Sequence, residues 1–246
     1  MKSIENATIS LFKGGEINRI FANLVINRCK KISFSLQRVK SLTSDLFYST
    51  IISSFIFFTI LLMKESVIAM NTPINHLTAG FIGLGLIGGS IARGLKRSAP
   101  DIQIMAYMRT REKLEQAHAD GIVDLILDGV DEHLSECDII FLCTPVEFNE
   151  SYLRQIRPFL KEGTVVTDVG STKTSIHETV AALGMESCFV GGHPMAGSEK
   201  TGYESSTDHL LENAYYIITP TPHTPASYTD RMVDVANAIG ALPLVL

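Results

Sequence analysis

Apolar and polar positions alternate along residues 79–246 in blocks that predict strands and helices in turn. Short apolar runs typical of buried strands lie at 79–82, 102–107, 138–143 and 164–167, with a weaker candidate at 121–127. Apolar residues at helical spacing predict helices over 87–96, 111–119, 148–160 and 174–183. Beyond residue 190 the pattern predicts a strand at 213–220, a helix at 226–239 and a final strand at 242–246. This alternation is typical of an α/β fold, a doubly wound Rossmann-type parallel sheet with helices on both faces.

Three glycines stand between the first predicted strand and the first predicted helix, in the segment Gly-Phe-Ile-Gly-Leu-Gly-Leu-Ile-Gly-Gly-Ser at 80–90. Gly83 permits a tight turn, Gly85 lets the backbone approach a phosphate, and Gly88 lets helix and strand lie close together. The helix begins at Leu86 and Ile87, where free N–H groups and the helix dipole attract negative charge. The order of strand, glycine turn and helix predicts a dinucleotide-binding site.

The end of the second predicted strand indicates which dinucleotide binds. An acidic residue at this place would bind the ribose hydroxyls and favour NAD, but the chain has Met108, Arg109, Thr110 and Arg111 there. Two arginines and a threonine suit a 2′-phosphate, which favours NADP while NAD stays open. The alternative is that Arg109 and Arg111 lie in the first turn of a solvated helix.

Two further strand ends carry candidate site residues at the carboxyl edge of the predicted sheet. Cys143, Thr144 and Pro145 follow the strand at 138–143, and we expect them to contact the cofactor, which lies at this edge in doubly wound sheets. Ser171 is suited to cap the helix at 174–183, and its hydroxyl also faces the crevice within reach of a substrate oxygen. Lys173 either attracts an anionic substrate or is a solvated surface residue.

His193 stands in a glycine-rich segment, Val-Gly-Gly-His-Pro-Met-Ala-Gly-Ser-Glu-Lys-Thr-Gly at 190–202. Gly191, Gly192 and Pro194 fix a backbone that can approach a ligand closely. A histidine at the carboxyl edge of a sheet can act as a general base near neutral pH. A lone histidine in a core is more often structural, so the pattern alone leaves both roles open.

Composition and charge restrict the class of protein. Of the 246 residues, 46% are hydrophobic and 19% are charged, as in globular proteins, and the net charge of −5 argues against nucleic acid as the main partner. Neither C-x-x-C nor metal-ligand spacing is found among the four cysteines, Cys29, Cys137, Cys143 and Cys188. We therefore expect reduced thiols, a cytoplasmic location and no metal site.

Residues 1–69 differ in composition from the rest of the chain. Residues 1–46 hold eight Lys or Arg against three acidic residues, and the uncharged apolar run 46–63 is long enough to span a bilayer as a helix. The positive-inside rule would then keep the basic flank in the cytoplasm and send the dinucleotide-binding domain across the membrane. Two interpretations remain: a genuine anchor through 46–63, or an extension outside the working protein, which would start at Met70.

Four blocks resemble the prephenate dehydrogenase family of tyrosine biosynthesis: the glycine turn, Phe-Leu-Cys-Thr-Pro at 141–145, Thr-Asp-Val-Gly-Ser-Thr-Lys at 167–173, and the histidine block at 191–202. The resemblance covers about residues 79–246, and the related arogenate dehydrogenases share these blocks. It implies oxidative decarboxylation of prephenate to 4-hydroxyphenylpyruvate with NAD or NADP. His193 would take the proton of the ring hydroxyl and Ser171 would hydrogen-bond to it. The resemblance also suggests three further substrate contacts, Lys173, Ser198 and Lys200.

The resemblance further implies a C-terminal helical domain that forms a homodimer and completes the substrate site. The last predicted strand ends at Leu246, so we interpret 70–246 as the dinucleotide-binding domain of a truncated chain and expect weak or no catalysis by it alone. Three other interpretations stay open: an arogenate dehydrogenase, a non-catalytic dinucleotide-binding module, free or tethered through 46–63, and a β-hydroxyacid dehydrogenase. The block around His193 argues against the last of these.

Overall fold

The computed structural model describes residues 74–246. The extension at 1–69 and its apolar run at 46–63, both singled out by the sequence, lie outside the described residues. None of the helices between residues 74 and 246 combines the length and apolarity that a membrane crossing requires.

Five strands form a parallel sheet: β1 (Thr78–Ile82), β2 (Gln103–Tyr107), β3 (Leu125–Ile126), β4 (Ile139–Leu142) and β5 (Val165–Asp168). Their order across the sheet is β3-β2-β1-β4-β5. β2 and β3 are therefore added on one side of β1, and the chain then crosses to the other side of β1, where it adds β4 and β5. The carboxyl ends of β1 and β4 meet at this reversal, which is where doubly wound sheets place their ligands.

Three more strands form a second sheet in the order β6 (Val190–Pro194), β7 (Tyr215–Pro220) and β8 (Leu242–Val245). The N–H of Val166 donates to the carbonyl of Cys188 at 2.8 Å, and Val166 bridges Phe189 in the parallel sense, so the approach to β6 runs beside β5. β7 is antiparallel to β6, and β8 is parallel to β7.

The helices cover both faces of the central sheet, as predicted. They are α1 (Leu86–Ser98), α2 (Arg111–Ala119), α3 (Val146–Ile156), α4 (Thr174–Ala182) and α5 (Ala226–Ala238). Buried side chains of α1, α2 and α5 belong to one hydrophobic cluster, and those of α3 and α4 belong to another. The stacked rings of Phe81 and Phe141, 4.7 Å apart, join β1 to β4 within the first cluster. The predicted α/β, doubly wound fold is therefore confirmed.

Several predicted boundaries shift in the structure. The strand predicted at 121–127 is reduced to the two residues of β3. The helix predicted at 148–160 begins earlier, at Val146, and ends at Ile156, followed by a 3₁₀ turn over Arg157–Phe159. Pro158 explains this end, because proline lacks the N–H that would continue the helix and disfavours helical geometry in the residue before it.

The buried hydroxyl of Tyr216 lacks a hydrogen-bond partner within the part of the chain that the structure describes. Tyr216 on β7 is fully buried, and its hydroxyl makes no hydrogen bond within residues 74–246. Tyr203 is equally buried, but its hydroxyl donates to Asp120 Oδ2 at 2.9 Å. Burial of an unpaired polar group lowers stability, whereas a paired one is compensated.

Tyr216→Phe is therefore expected to raise the free energy of unfolding by about 1–3 kcal/mol, since it removes only the unpaired hydroxyl. Tyr203→Phe is the matched control and should lower it, because Asp120 would lose a donor. Chemical denaturation of the two variants measures both changes. A loss of stability in Tyr216→Phe would contradict the prediction and indicate a partner for this hydroxyl.

Candidate active site

The glycine turn has the geometry that its sequence predicts. Gly83 has φ +90°, and a Cβ there would lie 2.9 Å from the carbonyl oxygen of Cys143. A Cβ on Gly88 would lie 2.8 Å from the carbonyl oxygen of Gly83 and 2.9 Å from Cys143 Cβ. Gly85 differs, because a Cβ there would meet no atom within 4 Å. Two glycines thus permit backbone contact, and the third leaves open space above the turn.

The start of α1 suits a phosphate. Gly85 is its N-cap residue, no side chain caps the helix, and no acidic residue lies in its first turn. The first N–H groups of a helix have no partner within it and carry partial positive charge. Leu86 and Ile87 are partly exposed at this point. The open space at Gly85 and these N–H groups together fit the pyrophosphate of a dinucleotide.

The two arginines after β2, which the sequence analysis treated together, have different surroundings in the structure. Arg109 is exposed, with its guanidinium 5.4 Å from the ring centroid of Phe148. Arg111 is in ion pairs with Asp128 and with Glu115. Of the two, Arg109 has the guanidinium without a carboxylate partner within residues 74–246, and the exposed Thr110 stands beside it.

The loop after β4 lies against the glycine turn. Cys143 contacts Gly88, and Thr144 Oγ1 donates to Asn149 Oδ1 at 3.0 Å, which ties the loop to the first turn of α3. Burial raises the pKa of the Cys143 thiol, so this cysteine is a packing residue and not a thiolate nucleophile. Pro145 is exposed and precedes α3 as its N-cap residue.

A buried ion pair stands at the end of β5. Asp168 has no exposed surface, and Lys173 Nζ lies 2.5 Å from its Oδ2 and also donates to the carbonyl of Gly170 at 2.7 Å. Desolvation lowers the pKa of Lys173, and Asp168 opposes that shift. The ammonium of Lys173 is therefore held by the protein and is not simply solvated, and its attraction of an anionic substrate stays a prediction.

Ser171 is exposed between Asp168 and Lys173. The expectation that it caps the following helix is wrong: Lys173 is the N-cap residue of α4, and no side chain caps that helix. The hydroxyl of Ser171 is therefore not engaged in capping. Its position in the crevice remains a prediction from its place after β5.

His193 lies on β6, opposite Ile217 of β7, and is partly exposed. Desolvation lowers its pKa below the usual 6.5, and so does the nearby Lys173, while Asp168 acts in the opposite direction. The imidazole is therefore neutral at pH 7 and free to accept a proton. This is the protonation state that a general base needs.

Contacts join the loop after β5 to the start of α3 on one side and to the His193 segment on the other. A Cβ on Gly170 would lie 3.0 Å from Val146 Cγ2, which brings the loop after β5 against the start of α3. The N–H of Gly192 donates to Asp168 Oδ1 at 3.2 Å. The glycine turn, the loop after β4, the loop after β5 and His193 therefore form one continuous edge, as the strand ends predicted.

Ser198 and Lys200 lie on an exposed loop after β6. The N–H of Lys200 donates to Ser198 Oγ at 3.1 Å. A substrate contact by either residue stays a prediction.

Sequence reasoning missed three buried polar groups beside the site, the carboxylate of Asp168, Nε2 of His177 and Oγ1 of Thr219. Asp168 was part of a quoted block but received no role, although a carboxylate ending a fully buried strand signals a paired charge. His177 on α4 points its Nε2 at Gly191, without a hydrogen-bond partner within residues 74–246, and Thr219 Oγ1 beside it is also unpaired. No sequence motif distinguishes His177 from the other histidines.

Comparison with known proteins identifies relatives of this domain. A family model described as "Prephenate dehydrogenase, nucleotide-binding domain" matches residues 91–244. The prephenate dehydrogenase of Lactococcus lactis is 44% identical over 142 residues, which are 56% of this chain and 39% of that protein. Among solved structures, prephenate dehydrogenase from Aquifex aeolicus, in complex with hydroxyphenyl propionate and NAD+, has 31% identity and a TM-score of 0.64. Synechocystis arogenate dehydrogenase has 32% identity and the same TM-score.

The match covers only part of each relative. It spans 69% of this chain and 59% of the chain in each of the two crystal structures. The family match nevertheless covers more than half of this chain, and it includes β4, β5, β6 and His193. The predicted cofactor, NAD or NADP, is thereby confirmed, while the predicted bounds of the domain, 70–246, stay a prediction. The chain belongs to the prephenate dehydrogenase family, and residues 91–244 match the nucleotide-binding domain of that family.

Proposed function

We propose that the protein supplies the dinucleotide-binding domain of a cytoplasmic prephenate dehydrogenase, which forms 4-hydroxyphenylpyruvate in tyrosine biosynthesis. The observation that carries the proposal is the place of His193, neutral at pH 7 and on the same edge as the glycine turn. The three cysteines in residues 74–246 are free thiols, which suits the cytoplasm.

The chain's own residues account for proton transfer and orientation. His193 accepts the proton of the ring hydroxyl of prephenate, and Ser171 hydrogen-bonds to the same oxygen. Gly83, Gly85 and the start of α1 would hold a nicotinamide dinucleotide, which would supply the two-electron oxidant for the carbon that carries the hydroxyl. The ring carboxylate then leaves as carbon dioxide, and the ring becomes aromatic.

Arogenate is the second candidate substrate. The likeness to Synechocystis arogenate dehydrogenase, at 32% identity, supports it as strongly as the likeness to the Aquifex enzyme supports prephenate. The two substrates share the ring that reacts and differ in the side chain. His193 and Ser171 would perform the same chemistry on either.

A chimaera tests the proposed function. This chain's residues replace the matched region of the Lactococcus lactis prephenate dehydrogenase, so that the rest of that protein is supplied. We expect reduced nicotinamide to form with prephenate, and the chain alone to show weak or no turnover. Dinucleotide binding without turnover in the chimaera would instead support a non-catalytic module, and turnover of arogenate alone would support the second substrate.

Arg109 is expected to set the preference between NADP and NAD. Its guanidinium has no carboxylate partner within residues 74–246, so we propose that it binds a 2′-phosphate. Arg109→Ala should weaken NADP binding about tenfold or more, because a hydrogen bond to a charged group contributes about 1.5–3 kcal/mol. NAD binding should change much less.

Calorimetric titration with NADP and NAD measures both affinities. Arg111→Ala is the matched control, since its guanidinium is bound to Asp128 and Glu115. Equal losses for both cofactors in Arg109→Ala would show that Arg109 contacts the adenine or the phosphates common to both.

A further inference from the structure

The carboxylate of Asp168 connects the two segments that carry the proposed catalytic groups. Its Oδ2 accepts from the N–H of Gly170 at 2.9 Å, next to Ser171. Its Oδ1 accepts from the N–H of Gly192 at 3.2 Å, next to His193. One fully buried side chain thus fixes two backbone segments that are 22 residues apart.

Asp168 also holds the ammonium group of Lys173, whose charge acts on His193. Lys173 Nζ donates to Asp168 Oδ2 and to the carbonyl of Gly170. Because Asp168 is fully buried, its charge needs a partner, and removal of one member of such a pair strongly destabilises a protein. The pairing therefore determines where the lysine charge lies relative to the imidazole.

We infer that Asp168 is a positioning residue of this site: it aligns the Ser171 and His193 segments and balances the Lys173 charge beside His193. This inference rests on the proposed role of His193. It assigns Asp168 no contact with the substrate or with the reacting atoms. Its effect passes through two backbone N–H groups and one lysine.

The charges around His193 agree with this role. Lys173 lowers the pKa of His193 and Asp168 raises it, and the same two groups act with the same signs on the pKa of His177 on α4. Two further titratable groups lie near Asp168: Tyr216, whose buried hydroxyl is beside Gly192, and the thiol of Cys143. Without Asp168, the lysine charge would act on both histidines without compensation.

Asp168→Asn removes the charge and keeps the size. An amide oxygen can still accept from Gly192, but its NH₂ group would face two donors, the Gly170 N–H and the Lys173 ammonium. We therefore expect the pKa of His193 to fall in Asp168→Asn. Lys173→Met should raise it, and the double variant should lie between the two single variants.

The measurement is an NMR titration of the histidine rings in the full chain, with the His193 signal assigned by its loss in His193→Asn. Asp138→Asn is the matched control. Asp138 also accepts a backbone N–H, that of Thr78 at 2.9 Å, and pairs with Lys161, but it precedes β4 at the opposite edge of the sheet. It should leave the His193 pKa unchanged.

An unchanged His193 pKa in both folded single variants would overturn the inference, as would an equal shift in Asp138→Asn. If Asp168→Asn does not fold, Lys173→Met decides alone, because it tests the same pairing from the other side. The titration needs no turnover. A chimaera that fails to oxidise prephenate would therefore refute the proposed function without affecting this result.

Discussion

Replacing His193 by asparagine is expected to lower the rate of prephenate oxidation about 10²- to 10⁴-fold, the usual contribution of a positioned general base. Asparagine keeps a polar side chain of similar size at this place on β6 but cannot accept the proton. Dinucleotide affinity should stay unchanged, because the glycine turn is untouched. Steady-state rates of the chimaera and titration with the dinucleotide measure the two effects separately.

The pH dependence of the same reaction gives a second readout. Desolvation and Lys173 lower the pKa of His193, so the neutral imidazole persists below pH 6.5 and is lost only under more acidic conditions. The acidic limb of kcat/KM should therefore lie below 6.5 and disappear in His193→Asn. His223→Asn, on an exposed loop, is the control. A normal rate in His193→Asn would assign the proton transfer to another group.

The strand ends explain why much of the site could be predicted from the sequence. Parallel strands bring their carboxyl ends to one edge, so local motifs after β1, β4 and β5 were expected to meet there. The roles of Gly83 and Gly88 were predictable for a local reason: a tight turn between a strand and a helix leaves no room for a Cβ. These features depend on local sequence and on topology that local sequence determines.

The alternation of predicted strands and helices does not predict the direction of β7. A parallel connection needs a crossover segment, usually a helix. Only a 3₁₀ turn at Tyr203–Ser205 lies between β6 and β7, and β7 returns antiparallel. α5 then provides the crossover that makes β8 parallel to β7.

Side-chain pairing was the part that the sequence could not predict. The sequence predicted that Lys173 is solvated or contacts substrate. Its pairing with Asp168 could not be predicted, because it depends on how the loop after β5 turns back. In the same loop, Ser171 lies two residues before Lys173, the N-cap residue of α4, and so does not cap this helix. Asp168 lies five residues from Lys173 but 24 from Gly192, and that second contact exists only because β6 runs beside β5.

Alanine at Gly85 is expected to weaken dinucleotide binding at least tenfold, about 1.4 kcal/mol, while leaving the fold nearly unchanged. A Cβ there meets no atom within 4 Å, and φ is −82°, which alanine adopts freely. Its methyl group would occupy the space proposed for the pyrophosphate. Alanine in place of glycine as the N-cap residue lowers helix stability by about 1 kcal/mol or less.

Gly88→Ala should behave differently, and the contrast between the two variants is the test. Its Cβ would lie 2.8 Å from the Gly83 carbonyl oxygen, so backbone must move, and overpacking of this kind costs about 1–3 kcal/mol. Both stability and binding should fall. Gly129→Ala is the control, since its Cβ also meets nothing within 4 Å. Thermal unfolding and dinucleotide titration of the three variants separate the effects. If Gly85→Ala bound the dinucleotide normally, the pyrophosphate could not lie above this turn.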